Sequence, residues 1–565
     1  MRQLLLFGIL LLLYLAVSCA QQTSPTGGPK DTIPPVLIES APPNKTINFR
    51  GKSITLTFDE DVVANNPREQ LLVTPSIGNK FEMEVRKKNV ILNFNSDLKD
   101  STTYTINFRE SIQDITEKNP AENLQIALST GSYLDSLKIT GKIYDLLSGK
   151  EIKDGTAALY IDSDTFDVFK HKPSYLTKSN EKGDFNFNNL KPDKYNIYAF
   201  TDKNKNLVVD SKTERYGFIA APIELKPDSN YHYSIPIIPL DARELKLISA
   251  KPFNTYFNIR FSKNLKDYKV SPLRPEDSTK FMHIYGDDHT AIHLFFNSQS
   301  LDSIPINLTA QDTIGNSLDT LLYAKLNAKK SEPEKFTISI PASFFVSEKD
   351  RLEATIKVNK PVAKMNVDSA DYQIDSTHTI LFSSADFTWE PNASQLKLHK
   401  QIQKDQMPQP IEIENDRKSF NSPSQTTPKN INKLRIKKSF FITVDNDTSQ
   451  QIDQTVNVLT PENTGVILVQ INTIEKNFIV QLLTQDGKIF QSFNNTANIS
   501  FKTLPPSNYL IRLVIDLNNN QQWDAGNFYK KEQPEPIVFY QSESGERTVN
   551  IKANWELGPL LISYP

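Results

Sequence analysis

Short runs that alternate between apolar and polar residues recur along most of the chain. Residues 53–58, 82–85, 90–94 and 104–108 each alternate with a period of two. This period places the apolar side chains on one face of a β-strand. Turn-forming residues separate the runs at the spacing of a β-sandwich, and no long stretch repeats with the helical period. The pattern therefore predicts an all-β protein of tandem β-sandwich domains.

The first residues depart from this pattern. One cation, Arg2, precedes an apolar run over residues 4–17, and small and polar residues follow. An apolar run of about 14 residues is short for a membrane-spanning helix, which needs roughly 20. The layout is that of a secretory signal. Because a cysteine ends this stretch, we predict a lipoprotein signal peptide over residues 1–19.

Cys19 is the only cysteine of the chain, and it lies directly after Ala16, Val17 and Ser18. This arrangement resembles a bacterial lipobox, although Ala16 stands where that motif usually has leucine. The resemblance implies cleavage before Cys19 and acylation of its thiol, for example with palmitate, which anchors the protein in the lipid bilayer. The alternative is an ordinary secretory signal with a chance cysteine.

Residues 20–30 are polar and contain proline and glycine, so we predict a flexible tether. In Gram-negative lipoproteins an aspartate directly after the lipidated cysteine resembles an inner-membrane retention signal, and here that residue is Ala20. We therefore expect a lipid-anchored protein of the outer membrane. Whether it lies on the periplasmic or the cell-surface side of that membrane stays open.

Residues 31–131 contain a recognisable series of motifs. They comprise DTIPP at 31–35, APPN at 41–44, TFDEDV at 57–62 and a closing loop at 114–119. This series resembles the bacterial Ig-like domain named after S-layer protein SbsA. The closing loop has lysine where that family usually has glycine. The resemblance implies an Ig-like sandwich that acts as a spacer or binding module.

A weaker copy of this series predicts a divergent Ig-like sandwich over residues 240–332. Its residues 247–252 resemble the start of the first unit, and residues 312–316 resemble its closing loop, with Gly315 present. A fainter echo predicts a further β-rich unit over residues 333–400.

The alternating pattern fails over residues 401–436. This stretch is polar and rich in turn-forming residues. We predict a linker or long loop there. The next predicted domain therefore begins at residue 437.

Comparison of the chain with itself reveals a repeat at an offset of 314 residues, which relates Asp202 to Asp516. The blocks 187–210 and 501–524 share nine identities without a gap. Each block contains a strand, an L-x-P turn, a strand that begins at tyrosine, and a D-x-N-x-N loop. We expect the two blocks to be copies of one fold.

The residues upstream of the first block, at 139–145, 155–160 and 183–187, complete a pattern. It resembles the prealbumin-like sandwich of the CnaB or carboxypeptidase-regulatory type. The resemblance implies prealbumin-like sandwiches over residues 132–239 and 437–565. Together with the lipobox and the Ig-like unit, it makes the chain similar to a modular lipoprotein family of Bacteroidota.

The repeated loops carry oxygen-bearing side chains at positions 1, 3, 5 and 9, which converge on one cation in calcium loops. The predicted calcium ligands are Asp202, Asn204, Asn206, Asp210, Asp516, Asn518, Asn520 and Asp524. Neither loop has the usual glycine at position 6 or an acid at position 12, and Glu214 stands one residue late. The alternative is a tight turn capped by Asx hydrogen bonds. Bound calcium would have a structural role.

Three histidines, His283, His289 and His293, flank a predicted hairpin turn. If Tyr285 pairs with His289, all three share one face and the apolar residues occupy the other. We predict that this histidine face is solvated, and a zinc site is the alternative.

Composition narrows the classes of function. The 64 basic and 66 acidic residues leave a net charge of −2, so no global positive field exists to hold nucleic acid. A lone cysteine excludes a disulfide framework. The chain contains no nucleophile elbow, metalloprotease helix motif or P-loop. We therefore predict no enzymatic activity, no catalytic residues and no cofactor other than structural calcium.

These observations predict a non-enzymatic outer-membrane lipoprotein that acts as a β-sandwich scaffold or binding protein of the bacterial cell envelope. Its expected partners are the lipid bilayer and envelope or outer-membrane proteins, including a β-barrel complex. Two alternatives stay open. The first is an accessory subunit of an outer-membrane protein assembly or export machine. The second is an envelope hydrolase, or an accessory to one, with an unrecognised site.

Overall fold

A computed structural model describes residues 31–78, 80–122, 124–162, 167–227, 229–286, 289–296, 303–325, 334–390, 394–403, 406 and 431–565. The predicted signal peptide, the predicted tether and most of the predicted linker lie outside these residues. The described chain is almost entirely β, as the alternating pattern predicted. Its sheets form five successive sandwiches, numbered here from the N-terminal end.

The first sandwich has two facing sheets of order β1-β2-β6-β5 and β4-β7-β9, and β3 pairs with β8. Its strands are β1 (Leu37–Ala41), β2 (Ser53–Phe58), β3 (Val62–Ala64), β4 (Leu72–Thr74), β5 (Phe81–Arg86), β6 (Asn89–Phe94), β7 (Thr103–Asn107), β8 (Ile112–Asp114) and β9 (Gln125–Ser129), with helix α1 at Pro67–Gln70. Ile54, Leu56 and Phe58 alternate along β2 and are fully buried between the sheets. The predicted period of two thus marks the core.

The second sandwich has sheets of order β13-β10-β17 and β12-β11-β14-β15, with β16 beside β14. Its strands are β10 (Leu137–Asp145), β11 (Thr156–Ile161), β12 (Tyr175–Lys178), β13 (Asp184–Leu190), β14 (Lys194–Phe200), β15 (Tyr216–Phe218), β16 (Ile223–Glu224) and β17 (His232–Ile237). β10 and β17 run parallel. Ile143, Leu159 and Ile197 lie fully buried in its core.

The third sandwich has sheets of order β18-β19-β22-β21 and β20-β23-β24. Its strands are β18 (Leu247–Phe253), β19 (Tyr256–Phe261), β20 (Leu265–Pro272), β21 (Phe281–Tyr285), β22 (Ala291–Phe296), β23 (Ile304–Asp312) and β24 (Ser317–Ala324), with a 3-10 turn at Pro275–Asp277. The strand order of its two facing sheets is that of the first sandwich, and the described residues contain no counterpart of the pair β3 and β8.

Local irregularities also correspond between these two sandwiches. The register of β1 shifts just after Leu37, and that of β18 shifts just after Leu247. In the closing loops, Lys118 has a φ of 64° and Gly315 a φ of 84°. Both loops therefore need a left-handed residue, which glycine adopts with less strain than lysine.

The fourth sandwich has sheets of order β30-β31-β26-β25-β35 and β29-β28-β32-β34, and β27 pairs with β33. Its strands are β25 (Ile338–Val346), β26 (Arg351–Val358), β27 (Val362–Met365), β28 (Ala370–Gln373), β29 (Thr379–Leu381), β30 (Phe387–Trp389), β31 (Gln395–Gln401), β32 (Lys433–Ile436), β33 (Phe441–Thr443), β34 (Ile452–Thr455) and β35 (Asn457–Leu459). Three 3-10 turns lie at Ser347–Lys349, Val367–Ser369 and Ser384–Asp386.

The pairing in this sandwich differs from the boundary predicted at residue 437. Strands β32, β33 and β35 pair with β28, β27 and β25, which precede the polar stretch, and β34 pairs with β32. These four strands therefore complete the fourth sandwich rather than begin the fifth. Leu434 and Ile436 alternate with partly exposed residues and are buried in the same core as Tyr372. The polar stretch thus connects two strands of one sandwich.

The fifth sandwich has sheets of order β39-β36-β43 and β38-β37-β40-β41, with β42 beside β40. Its strands are β36 (Gly465–Asn472), β37 (Phe478–Thr484), β38 (Ile489–Asn494), β39 (Asn498–Leu504), β40 (Ser507–Ile515), β41 (Ile537–Phe539), β42 (Thr548–Ile551) and β43 (Glu556–Ser563). β36 and β43 run parallel. Every pairing has a counterpart in the second sandwich, as expected of two copies of one fold.

Candidate functional site

The first repeated loop connects β14 to β15 and is held by Asx hydrogen bonds. Asp202 accepts the backbone N–H of Asn206 at 3.1 Å and that of Leu207 at 3.3 Å. The amide oxygen of Asn204 accepts the N–H of Asn206 at 3.0 Å, and that of Asn206 accepts the N–H of Val208 at 2.7 Å. Leu207 stands where calcium loops have glycine and has a φ of 62°. The side chains thus stabilise a tight left-handed turn.

Glu214 closes this loop. Its Oε1 accepts the N–H of Lys203 at 2.8 Å, and its Oε2 accepts the N–H of Asp210 at 3.0 Å. The residue is only 2% exposed. The carboxylate of Asp210 accepts bonds from the Lys212 N–H and the Thr213 hydroxyl, at 3.0 and 2.9 Å. Glu214 therefore ties the beginning of the loop to its end.

The second repeated loop connects β40 to β41 and has the same Asx bonds. Asp516 accepts the N–H of Asn520 at 3.0 Å and that of Gln521 at 2.8 Å. Asn518 accepts the N–H of Asn520 at 3.1 Å, and Asn520 accepts that of Gln522 at 2.8 Å. The sequence repeat thus reproduces the backbone geometry of the first loop.

Glu535 closes the second loop as Glu214 closes the first. Its Oε1 accepts the N–H of Leu517 at 2.8 Å, and its Oε2 accepts the N–H of Asp524 at 3.0 Å. Sequence spacing did not reveal this residue, because Glu214 follows the last loop aspartate by four positions and Glu535 by eleven. Only the shared pair of bonded N–H groups identifies the equivalence.

Burial shifts the ionisation of Glu535, which is 4% exposed. Burial raises the pKa of this carboxyl, the N–H groups of Asp524 and Leu517 lower it, and the charges of Asp524 and Asp516 raise it again. The net direction is upward, because the burial is the largest cause.

The donor set of the loops bears on the calcium prediction. The amide nitrogens of Asn518 and Asn520 donate to the carboxylate of Asp524 at 2.7 and 2.5 Å, and the Lys266 ammonium lies 3.7 Å from it. Donors thus surround a carboxylate that calcium would need as a ligand. In the described part of the chain no group of three or more His, Cys, Asp or Glu side chains is placed to hold a metal ion. The geometry fits the Asx-turn alternative, and calcium binding stays a prediction.

The segment between Asp524 and Glu535, residues 525–534, contacts the second sandwich. We call it the docking segment. Its Phe528 is 8% exposed, and the ring centroid lies 4.8 Å from that of Phe169 and 5.5 Å from that of Phe218. These aromatic pairs have the separations of stabilising ring contacts.

Polar contacts of the docking segment reach two sandwiches. Four of its side chains donate hydrogen bonds to them: Gln533 to the Phe218 carbonyl at 2.7 Å, Lys531 to the Tyr198 hydroxyl at 2.8 Å, Tyr529 to the Ala242 carbonyl at 2.9 Å and Asn527 to the Ile314 carbonyl at 2.6 Å. The Lys531 ammonium also lies 4.9 Å from the ring centroid of Phe528. Burial lowers the pKa of Lys531.

Residues outside the docking segment extend this interface. Ile479 and Val514 of the fifth sandwich share one buried apolar cluster with Phe200 of the second. Arg547 donates to the carbonyl of Gly149. The last sandwich therefore packs against the second, and the chain closes on itself.

Neighbouring sandwiches also contact one another directly. Between the first and second, Thr74 donates to the Leu176 carbonyl at 3.1 Å, and Asn189 donates to the Thr105 hydroxyl at 2.8 Å. Between the third and fourth, Val444 packs in an apolar cluster with Tyr256, Ile284 and Phe295. Direct side-chain contacts thus join neighbouring sandwiches at these two junctions.

Several buried charged side chains have internal partners. Lys263 Nζ lies 2.6 Å from Asp312 in the third sandwich, and both side chains are at most 4% exposed. Lys360 Nζ lies 2.8 Å from Asp445 in the fourth. Pairing offsets the cost of burying these charges.

The predicted histidine face is wrong. Tyr285 pairs with Ile292 rather than with His289, so His283 lies opposite Leu294, and His293 lies opposite Ile284. The pairing register of the two strands differs from the predicted one by an odd number of residues. His283 and His293 therefore lie on opposite faces of the sheet. The hairpin connection is longer than predicted, and His289 lies in it with a φ of 55°. His283 contacts the Tyr268 hydroxyl at 3.0 Å, and burial lowers its pKa.

Cys19 lies outside the described residues, so its acylation stays a prediction. Among the residues that are described, no helix has the length and apolarity needed to span a membrane.

Comparison with known proteins identifies one family. Residues 31–130 match the bacterial Ig-like domain family. No curated protein matches the chain. Among solved structures, the chain is similar to domains 1–6 of the surface layer protein SbsC, with 9% identity and a TM-score of 0.14, over 91% of this chain and 67% of that one.

Two pilins are similar at the same level. The major pilin subunit BcpA of Bacillus cereus has 12% identity and a TM-score of 0.12, over 75% of this chain and 98% of that one. A streptococcal ancillary pilin has 9% identity and a TM-score of 0.15, over 44% and 81%. Likenesses this weak carry no functional argument. The first sandwich belongs to the bacterial Ig-like domain family, and the chain is an all-β protein of tandem sandwiches.

Proposed function

We propose that the protein is a non-enzymatic lipoprotein of the bacterial outer membrane. In this proposal its sandwiches form a scaffold that binds other components of the cell envelope. The observation that carries the proposal is Cys19, the only cysteine, placed at the end of a signal-like apolar run. Acylated Cys19 would hold the chain at the bilayer, and residues 20–30 would tether the first sandwich.

The contacts between sandwiches support a scaffold role. The docking segment attaches the fifth sandwich to the second and third, and hydrogen bonds join the first sandwich to the second. A scaffold has to hold its binding surfaces at fixed separations. Direct contacts at these junctions serve that purpose better than flexible linkers.

The use of buried charge supports the non-enzymatic part of the proposal. Glu214 and Glu535 accept backbone N–H groups, and Lys263 pairs with Asp312. Each of these groups has a structural role that accounts for its burial.

Crosslinking in living cells followed by mass spectrometry tests this function. We expect crosslinks from the wild-type chain to envelope proteins, and a Cys19→Ala variant is expected to lose both membrane attachment and those crosslinks. Crosslinks to a β-barrel complex, with defective barrel assembly on depletion, would favour the accessory-subunit alternative. A wild-type chain that crosslinks only to cytoplasmic proteins would refute the proposal.

A further inference from the structure

A cleft of about 740 Å³ opens where the first sandwich joins the second. The cleft is lined by the stretch from Tyr133 to Lys138, which connects the two sandwiches and enters β10, and by Lys191, Pro192 and Pro227 of the second sandwich. The volume lies within the range of small-molecule sites in proteins. Hydrogen bonds from Thr74 to Leu176 and from Asn189 to Thr105 join the two sandwiches.

Asp135 lines this cleft and is only 9% exposed. Its backbone N–H donates to the Thr103 hydroxyl at 2.9 Å. Its carboxylate has no hydrogen-bond or ion-pair partner anywhere in the described ranges of the chain. The carboxylate oxygens are accessible from the cleft and are not sealed from solvent. A ligand that supplies hydrogen-bond donors can therefore reach them.

The two lysines that line the cleft limit which ligands can donate hydrogen bonds to Asp135. Lys138 and Lys191 are exposed, and neither forms an ion pair within the residues that the structure describes. Two ammonium groups against one carboxylate make the cleft positive on balance, which disfavours a cationic ligand. Neutral donors such as hydroxyl groups are therefore the better match for Asp135, and an anionic group is the match for the lysines.

Apolar surface borders the same opening. Tyr133 is 58% exposed, and Pro192 and Pro227 line the same cleft. An exposed tyrosine offers a flat apolar face with a polar tip. A ring with apolar C–H faces and hydroxyl edges would cover it.

We propose that this cleft binds an acidic saccharide. Ring hydroxyls donate to Asp135, the C–H face of a sugar ring covers Tyr133, and the acidic group pairs with Lys138 or Lys191. The inference rests on the proposed envelope function for the source of the ligand. Binding in solution does not depend on Cys19, so failure of the cleft and failure of the anchor are distinguishable.

Isothermal titration of the full-length chain with trigalacturonic acid tests the proposal. Neutral maltotriose and a cationic glucosamine trimer serve as comparison ligands. We expect the acidic trimer to bind, with the other two at least about tenfold weaker, as the loss of a charge-assisted contact implies. Undetectable binding of the acidic trimer, equal binding of maltotriose, or a preference for the cationic trimer would overturn the proposal.

Two variants locate the binding. Asp135→Asn and Tyr133→Ala are each expected to weaken binding of the acidic trimer by about tenfold. Tyr323→Ala, which removes a tyrosine of similar exposure (62%) in the third sandwich, is expected to leave it unchanged. Far-ultraviolet circular dichroism shows whether each variant is folded. Folded Asp135→Asn protein that binds as tightly as the wild type would contradict the assignment of the site.

Discussion

Glu535 makes the same two hydrogen bonds in the fifth sandwich as Glu214 makes in the second. Each carboxylate accepts one N–H from the second residue of its loop and one from the ninth, at 2.8 and 3.0 Å in both cases. Both glutamates are buried, at 4% and 2% exposure. The loop closure is therefore a property of the repeated fold, kept although the spacing to the glutamate differs.

Removal of this closure is expected to destabilise the fold. In Glu214→Gln and Glu535→Gln variants, the amide NH₂ group faces a backbone N–H that has lost its acceptor. We expect each variant to lower the free energy of unfolding by about 1–3 kcal/mol. Urea denaturation measures the loss.

The matched control is Glu532→Gln, which changes an exposed glutamate three residues before Glu535. We expect this control to stay within about 0.5 kcal/mol of the wild type. If the Glu214→Gln and Glu535→Gln variants unfold at the same urea concentration as the control, these glutamates do not stabilise the loops.

Chelation separates the two interpretations of the loops. Asx hydrogen bonds and the buried glutamates Glu214 and Glu535 already hold both loops. We therefore expect the same melting temperature with EDTA as with millimolar calcium. Differential scanning calorimetry of the wild type measures this. A higher melting temperature in calcium, lost in Asp202→Asn and Asp516→Asn variants, would instead establish the calcium interpretation.

The docking segment is expected to hold the fifth sandwich against the second. Phe528→Ala removes the ring that contacts Phe169 and Phe218, at a cost of about 3–5 kcal/mol to that interface. We expect a larger radius of gyration in small-angle X-ray scattering. Ile474→Ala, at a residue that is 85% exposed, is the control and should match the wild type. An unchanged scattering profile for Phe528→Ala would contradict a role for the docking segment in closure.

Asp375 gives a prediction about pH. Burial acts to raise its pKa, but the N–H groups of Thr377 and His378 outweigh burial, and the pKa is lowered from 3.8 to about 2. A carboxyl whose folded pKa is depressed contributes stability above its unfolded pKa and loses it as the pH falls through the folded pKa. Asp375→Asn should therefore destabilise the protein at neutral pH, with a difference from the wild type that shrinks below about pH 3.8.

Urea denaturation at a series of pH values between 7 and the acid limit of the fold checks this, with the exposed Asp368→Asn as the control. A constant difference between Asp375→Asn and the wild type down to pH 3 would show that the loss does not arise from ionisation of Asp375.

Much of this fold follows from sequence patterns. Alternation along strands such as β2 marks the buried residues, and the identities between the two repeat blocks identify the second and fifth sandwiches as copies. The Asx-turn alternative could also be predicted from the sequence, because Asp and Asn side chains at odd loop positions can accept hydrogen bonds from backbone N–H groups two to four residues later. Hydrogen bonds between residues that are close in sequence can thus be inferred from residue type and spacing.

Structural features that depend on pairing between distant parts of the chain could not be predicted from the sequence. The register of the His283 hairpin depends on the length of its connection, and one odd shift reverses the faces. Strand β32 returns to the fourth sandwich across a polar stretch that looks like a domain boundary. Glu535 is reached only across the docking segment, so no fixed spacing points to it.

Attachment of the sandwiches to the bacterial envelope through Cys19 is the central claim, and metabolic labelling with a clickable palmitate analogue tests it most directly. Cells that express the wild type or Cys19→Ala are labelled, and the membrane fraction is analysed for the tagged protein. The account predicts a label on the wild type only, with Cys19→Ala released from the membrane. An untagged wild type, or a Cys19→Ala protein that stays in the membrane fraction, would contradict it.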